Sequence, residues 1–166
     1  MHRRIGNYLP ELPHSGDTEI WLRMAADSMV GQLDAAQAFR RLHSANMSLG
    51  YSPLRRLAEQ VRAFDIHFDG QAPLSPEVAA LQAVVHRTIA ESAFWNATLA
   101  FERGDASTCD EFLEFASATS PGIESWVAWR RFQWKRRLGP AAWRLLAPLA
   151  ARARRIALQG ADRSVG

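Results

Sequence analysis

The sequence predicts a mainly α-helical protein. Apolar residues recur at helical spacing over most of the chain after residue 50, and helix start and stop signals bound each of these stretches. Before that point, only two short segments have strand character. With 166 residues and 48% hydrophobic content, the chain is long and apolar enough to form a packed core.

The first helix is predicted to start after Ser15 and to run to about Asp27. Serine, glycine and aspartate at positions 15–17 are common at helix starts, and two prolines keep the preceding segment extended. The helical spacing turns Ile20 and Met24 inward, with Trp21 as a further inward candidate.

Two extended segments are predicted next. Val30 to Leu33 is expected to form a short strand, and Gln37 to His43 a second extended piece. The stretch from Asn46 to Pro53 is rich in turn-forming residues, so it should separate this region from the helices that follow.

The remainder of the chain is predicted to be helical. Breaks at Gly104-Asp105, at Ser120-Pro121-Gly122 and at Leu138-Gly139-Pro140 divide it. The predicted helices run over about 54–65, 75–101, 107–118, 124–137 and 141–158.

Two of these helices, joined by Gly104-Asp105 and followed by a proline, resemble a single tetratricopeptide-type hairpin. No second copy occurs at the spacing of about 34 residues that such repeats require. Because one hairpin cannot bury its own apolar face, we do not expect a solenoid.

Composition places further bounds on the protein. A single cysteine, Cys109, excludes an internal disulfide, and no Cys/His cluster has zinc-ligand spacing, so we expect a reducing compartment. The start of the sequence lacks the apolar run of a signal peptide, and no apolar stretch approaches the roughly 20 residues of a membrane span. These features predict a cytoplasmic protein.

Charge is distributed unevenly along the chain. Residues 1–124 carry a net charge of −6, whereas residues 125–161 hold nine Arg and Lys and no acid. The C-terminal part could therefore meet an anionic partner.

Two motifs in the first fifty residues carry the strongest functional signal. Residues 16–23 read GDTEIWLR, and residues 41–48 read RLHSANMS. An acidic residue at the mouth of a short amphipathic helix, then Arg-x-His after a strand-like segment, resembles the end of the catalytic domain in family-2 glycosyltransferases. The resemblance implies that residues 1–50 are a remnant of a GT-A α/β domain and that residues 51–166 are a helical extension.

The resemblance also implies a reaction. A GT-A enzyme of this kind moves a sugar from a nucleotide diphosphate to a hydroxyl by inverting displacement, and one carboxylate removes the acceptor proton. Asp17 matches the position of that carboxylate. A helix N-terminus favours negative charge at such a position. By the same resemblance Glu19 would support the start of the helix or the acceptor, and Trp21 would pack beneath the site or form a wall for a sugar.

Arg41 and His43 match the pair that faces the donor diphosphate and, in some members, its metal ion. A diphosphate leaving group gains charge and needs cations placed against it. Arg40 departs from the expected aromatic-arginine order and competes with Arg41 for this role.

The nucleotide-binding half of such an enzyme is expected to lie before residue 1 or on a separate chain, because no Asp-x-Asp metal motif occurs in the sequence. The complete enzyme would bind Mn or Mg, with His43 as a ligand only beside that motif. It would take a nucleotide sugar and a glycan or lipid-linked acceptor. For this chain alone we expect neither cofactor nor activity.

The basic stretch from Trp126 to Arg137 interleaves tryptophan with arginine and has three interpretations. It could lie on an anionic membrane, which would place the protein peripherally on the inner membrane, or contact nucleic acid, or form a core helix with solvated arginines. No recognised nucleic-acid motif is present, so that interpretation ranks last. The rival to the glycosyltransferase hypothesis is a non-enzymatic helical module for protein interaction or membrane-surface binding.

Overall fold

The computed structural model describes residues 5–39, 50–70 and 75–143, and every regular element within these ranges is a helix. The prediction of a mainly α-helical protein is confirmed. The α-helices are α1 (Gly16–Asp27), α2 (Pro53–Asp69), α3 (Pro76–Arg103), α4 (Ala106–Thr119) and α5 (Val127–Leu138), and a 3-10 helix spans Ile123–Ser125. The chain divides into two compact units, Met1–Ile89 and Ala90–Gly166, with the division inside α3.

In the first unit, α1 packs against α2. Ile20 of α1 is only 1% exposed, and the buried apolar side chains of α2 are Leu57, Ala63 and Phe68. The proline at the start of α2 has the fixed φ that a first helical turn requires and lacks the N–H that would be unpaired there. The predicted helices at 16–27 and at 54–65 are therefore present, the second one a turn longer than predicted.

The predicted strand at Val30–Leu33 is wrong. Helix α1 ends at Asp27, Ser28 has extended backbone, and the Ser28 hydroxyl donates to the Met24 carbonyl at 2.7 Å. Residues 29–39 contain neither helix nor strand, and within the described ranges no second extended segment pairs with them. A strand needs a neighbour for its backbone N–H and C=O groups, so apolar residues at strand spacing do not suffice.

The core of the second unit combines alanines with aromatic rings. Ala90, Ala93, Ala97 and Ala100 follow one side of α3 and are at most 5% exposed. Their small side chains allow other parts of the same unit to pack close to the α3 backbone. Phe94, 1% exposed, has its ring centroid 5.6 Å from that of Trp129 and 5.5 Å from that of Phe132.

The turn between α3 and α4 follows from two residues. Gly104 has φ +85°, a left-handed conformation that side chains disfavour. Its N–H donates to the Phe101 carbonyl at 3.0 Å, and the Asp105 N–H donates to the Ala100 carbonyl at 3.0 Å, which closes the end of α3. The Asp105 carboxylate then accepts from the Thr108 N–H at 3.1 Å and caps α4.

The last described helix begins later than predicted. The chain turns at Gly122, with φ +89°, and passes through the 3-10 helix, so α5 starts at Val127 rather than at Glu124. Two ion pairs hold α5: Lys135 Nζ lies 2.7 Å from Glu102 Oε1, and Arg136 pairs with Asp110. A further helical stretch begins at Pro140 and continues to the end of the described residues.

None of the helices in the described ranges is long and apolar enough to cross a membrane.

Candidate functional site

Asp17 lies in the first turn of α1 with its side chain exposed. Ser15 holds the cap position instead, although its side chain makes no capping bond. One oxygen of Asp17, Oδ1, accepts from the Thr18 N–H at 2.7 Å. None of the described residues donates a hydrogen bond to the other oxygen, Oδ2. This oxygen is therefore available to accept a proton from a bound molecule.

Trp21 is one helical turn after Asp17, and residues four apart lie on the same face of a helix. Its side chain is 61% exposed, so the prediction that Trp21 turns inward is wrong. Ile20 fixes the buried side of α1 against α2, and Trp21 lies about 100° further around the helix. Asp17 and Trp21 thus share one exposed face.

Glu19 lies on the opposite, buried side of α1 and is 1% exposed. Its two oxygens accept from Arg23 Nε and Nη2, both at 2.6 Å, in a bidentate pair. Arg23 also donates to the carbonyls of Ile5 and Asn7, the second at 2.9 Å. Of the two roles expected for Glu19, this geometry favours support of the helix start, because the carboxylate is already occupied.

Glu59 of α2 is a buried carboxylate that the sequence pattern does not indicate. It is 8% exposed, and its Oε1 accepts from the N–H groups of His14 at 2.6 Å and Ser15 at 2.9 Å. The hydroxyl of Tyr51 donates to its Oε2. A carboxylate from α2 therefore holds the chain where it enters α1, just ahead of Asp17.

The environment keeps Glu59 charged. Burial alone raises the pKa of this carboxyl, but the hydrogen bonds from Tyr51, His14 and Ser15 outweigh burial and lower the pKa of Glu59 below its ordinary value. The hydrogen bond between Tyr51 and Glu59 raises the pKa of the Tyr51 hydroxyl, because deprotonation of Tyr51 would place two negative charges side by side.

No signal in the sequence could have found Glu59. It lies within about 40° of the buried Ala63 around α2 but about 200° from Leu57, and is therefore off the apolar face that the spacing predicts. An acid outside that face is ordinarily solvated, so its position does not indicate a partner. The donors themselves could not be predicted, since His14 and Ser15 offer backbone groups that any residue other than proline would offer.

Beyond α1, the chain carries exposed apolar side chains. Met29 is 99% exposed, Val30 76%, Leu33 74% and Phe39 101%. No other described residue covers them. In the sequence, this apolar segment, residues 28–39, precedes the second motif at 41–48.

Comparisons with protein-family models, with curated proteins and with solved structures found no match for this chain.

The second half of the expected site, Arg41 and His43 with the competing Arg40, lies outside the described residues. The structure thus brings Asp17 and Trp21 together on one face and sets Glu19 apart from them. Among the residues at 5–39, 50–70 and 75–143, no three His, Cys, Asp or Glu side chains are grouped so as to hold a metal ion.

Proposed function

We propose that residues 1–50 are the end of a GT-A catalytic domain of the family-2 glycosyltransferase type. Together with a nucleotide-binding half, the chain would transfer a sugar from a nucleotide-sugar donor to a hydroxyl by inverting displacement. The observation that carries this proposal is the exposed pair of Asp17 and Trp21 on a helix whose start is anchored from its other side.

Asp17 has the features that a general base requires. None of the described residues donates to its Oδ2 or pairs with it as a cation, and it lies exposed in the first turn of α1. A base must also be held in place. Here the bidentate pair of Glu19 with Arg23, and the bonds of Glu59 to the preceding backbone, supply that rigidity.

Trp21 complements Asp17 on the acceptor side. An indole ring offers a flat apolar surface with one polar N–H, and such a ring can lie against the apolar face of a sugar while its hydroxyls reach polar groups. At 61% exposure, the ring is open to a ligand. Arg41 and His43 would face the donor diphosphate and a divalent metal ion, as the resemblance implies.

The apolar segment at residues 28–39 supports the need for a second half. Four large apolar side chains at 74% exposure or more are unfavourable in water and indicate a surface that a partner covers. In a GT-A domain the partner would be the central sheet, to whose edge an extended segment can add as a strand. That sheet would come from the nucleotide-binding half.

Asp17→Asn tests the role of the base, because it keeps the side chain's shape and removes its basicity. The assay uses this chain combined with a separately expressed nucleotide-binding half of a family-2 glycosyltransferase. We expect transfer to fall about 10²- to 10⁴-fold while donor binding, measured by calorimetry, is unchanged. Asp69→Asn, at an exposed carboxylate in the last turn of α2, is the matched control and should keep full activity.

Retention of activity by the Asp17 variant would refute its role as the base. The chain alone should bind no UDP- or GDP-sugar, with or without manganese, and micromolar binding would overturn the proposal that a half is missing.

The alternative function is a non-enzymatic helical module for protein interaction or membrane-surface binding. The exposed tryptophans of the second unit favour it, and a combined chain that binds its partner half but transfers no sugar would support it.

A further inference from the structure

Helix α5 presents an exposed face of mixed tryptophan, aliphatic and arginine side chains. Val127, Arg131 and Trp134 recur at four- and seven-residue intervals and therefore lie on one side of the helix. Val127 and Trp134 are each 59% exposed. Arg130 and Arg137 are exposed along one border of this side.

These side chains are not part of the core. The inner face of α5 buries Trp129 at 6% and Phe132 at 4% exposure, against Phe94 of α3. Lys135 and Arg136 are neutralised by Glu102 and Asp110. By contrast, none of the described carboxylates forms an ion pair with Arg130, Arg131 or Arg137.

The exposed apolar surface continues onto α3. Trp95 is 53% and Leu99 49% exposed, and the Trp95 ring centroid lies 5.9 Å from that of Trp126 at the start of α5. An open groove of about 880 Å³ runs between the two helices, with Trp95, Trp134 and Arg131 among its lining residues. We call this surface the Trp–Arg face: Trp95, Leu99, Val127, Arg130, Arg131, Trp134 and Arg137.

We propose that the Trp–Arg face docks on a membrane surface that contains anionic lipids. Tryptophan is favoured at the level of lipid headgroups, where its ring is apolar and its N–H remains solvated. Aliphatic side chains can enter the acyl boundary, and unpaired arginines attract lipid phosphates. The sequence from 144 to 161 adds four more positive side chains and no acid.

Charge complementarity alone would also allow a nucleic acid, but the apolar side chains favour a membrane. Leu99 and Val127 would stay in water on a phosphate backbone, whereas a bilayer removes them from water. This inference does not depend on the glycosyltransferase proposal, since every residue of the Trp–Arg face lies in the second unit.

Co-sedimentation with phosphatidylglycerol-containing vesicles, compared with pure phosphatidylcholine vesicles, tests the proposal. We expect binding to the anionic vesicles, weakened by high salt, because salt screens the attraction. Substituting Arg130, Arg131 and Arg137 by Gln should lower the partition coefficient roughly 100-fold, on the basis of about fivefold for each arginine near an anionic surface. The control substitutes three exposed arginines elsewhere, Arg56, Arg62 and Arg103, and should bind as wild type.

Trp134→Ser tests the apolar part of the face and should weaken vesicle binding about tenfold. Leu81→Ser is its control, because Leu81 is similarly exposed, at 56%, but lies in the first unit. Far-UV circular dichroism shows whether the variants are folded, and Trp134 is exposed enough for the substitution to leave the core intact. Equal loss from both sets of variants, equal binding to neutral vesicles, or preference for single-stranded RNA over anionic vesicles would each overturn the proposal.

Discussion

Glu59 is the single side chain on which the candidate site most depends. It lies on α2, yet its three hydrogen-bond donors are the His14 and Ser15 backbone and the Tyr51 hydroxyl. Charge-assisted bonds of this kind are stronger than neutral ones, and a buried carboxylate needs them to offset its lost hydration. The position of Asp17, two residues after Ser15, is thereby tied to the charge state of another helix.

Glu59→Gln removes this charge while keeping the side chain's size. We expect the free energy of unfolding near neutral pH to fall by about 1–3 kcal/mol, because two backbone donors lose a charged acceptor. The folded-state pKa of Glu59 is lowered, so its contribution is present above the ordinary glutamate range and is lost as pH falls through the lowered value. The difference between wild type and variant should therefore narrow in acid.

Urea unfolding at neutral pH and at a series of acid pH values measures this effect. Glu11→Gln, at an exposed carboxylate of the same unit, is the control and should leave stability unchanged at every pH. A difference that stays constant as pH falls would show that the charge of Glu59 does not stabilise the start of α1.

Among the elements, helix ends were easier to predict than inward faces. Gly104, Asp105 and Pro53 act through local backbone geometry, so the sequence located the ends of α3 and the starts of α2 and α4 to within a few residues. The exposure of Trp21 depends instead on which side of α1 meets α2. That choice is made by tertiary packing and is not present in local spacing.

The difference between local backbone geometry and tertiary packing also explains which parts of the candidate site could be predicted. The exposed carboxylate in the first turn of α1 could be predicted, because residues 15–17 are helix start signals. Glu59 could not be paired with His14 from the sequence, because 45 residues separate them. The strand expected at Val30–Leu33 failed for a similar reason, since strand formation depends on a neighbour that none of the described segments supplies.

Gly104→Ala tests the turn that ends α3. The left-handed φ of +85° is unfavourable for a residue with a Cβ, so we expect a loss of about 1 kcal/mol in the free energy of unfolding. Gly31→Ala is the control, because a Cβ there meets nothing within 4 Å and φ is not positive. Denaturant titration of both variants checks the expectation, and equal stability of the two would argue against conformational strain at Gly104.

On the scale of the whole molecule, the two compact units carry different candidate functions. The first holds Asp17, Trp21 and the apolar segment at 28–39, and the second holds the Trp–Arg face. The apolar segment is the part that most resembles an uncovered interface. Its exposed backbone, which forms neither helix nor strand over residues 29–39, should also be accessible to a protease.

Limited digestion with chymotrypsin tests this view. We expect the first cuts within residues 28–39, after side chains such as Leu33 and Phe39, well before any cut in α4, whose Phe112 is 4% exposed. Addition of the nucleotide-binding half should protect these sites, because strand pairing removes the backbone from the protease. Cleavage that is equally fast with the half bound would place the interface elsewhere.

The sequence distance between Glu59 and its backbone donors limits where this region can be truncated or fused to another protein. The donors stand 45 and 44 residues before the acceptor, so a gene fragment that stops at residue 50 would encode α1 and both motifs without the carboxylate that anchors them. A chimera that exchanges the motifs between proteins would need to carry the chain through α2. The smallest segment that could be transferred together with its anchoring carboxylate is therefore longer than the segment that contains the two motifs.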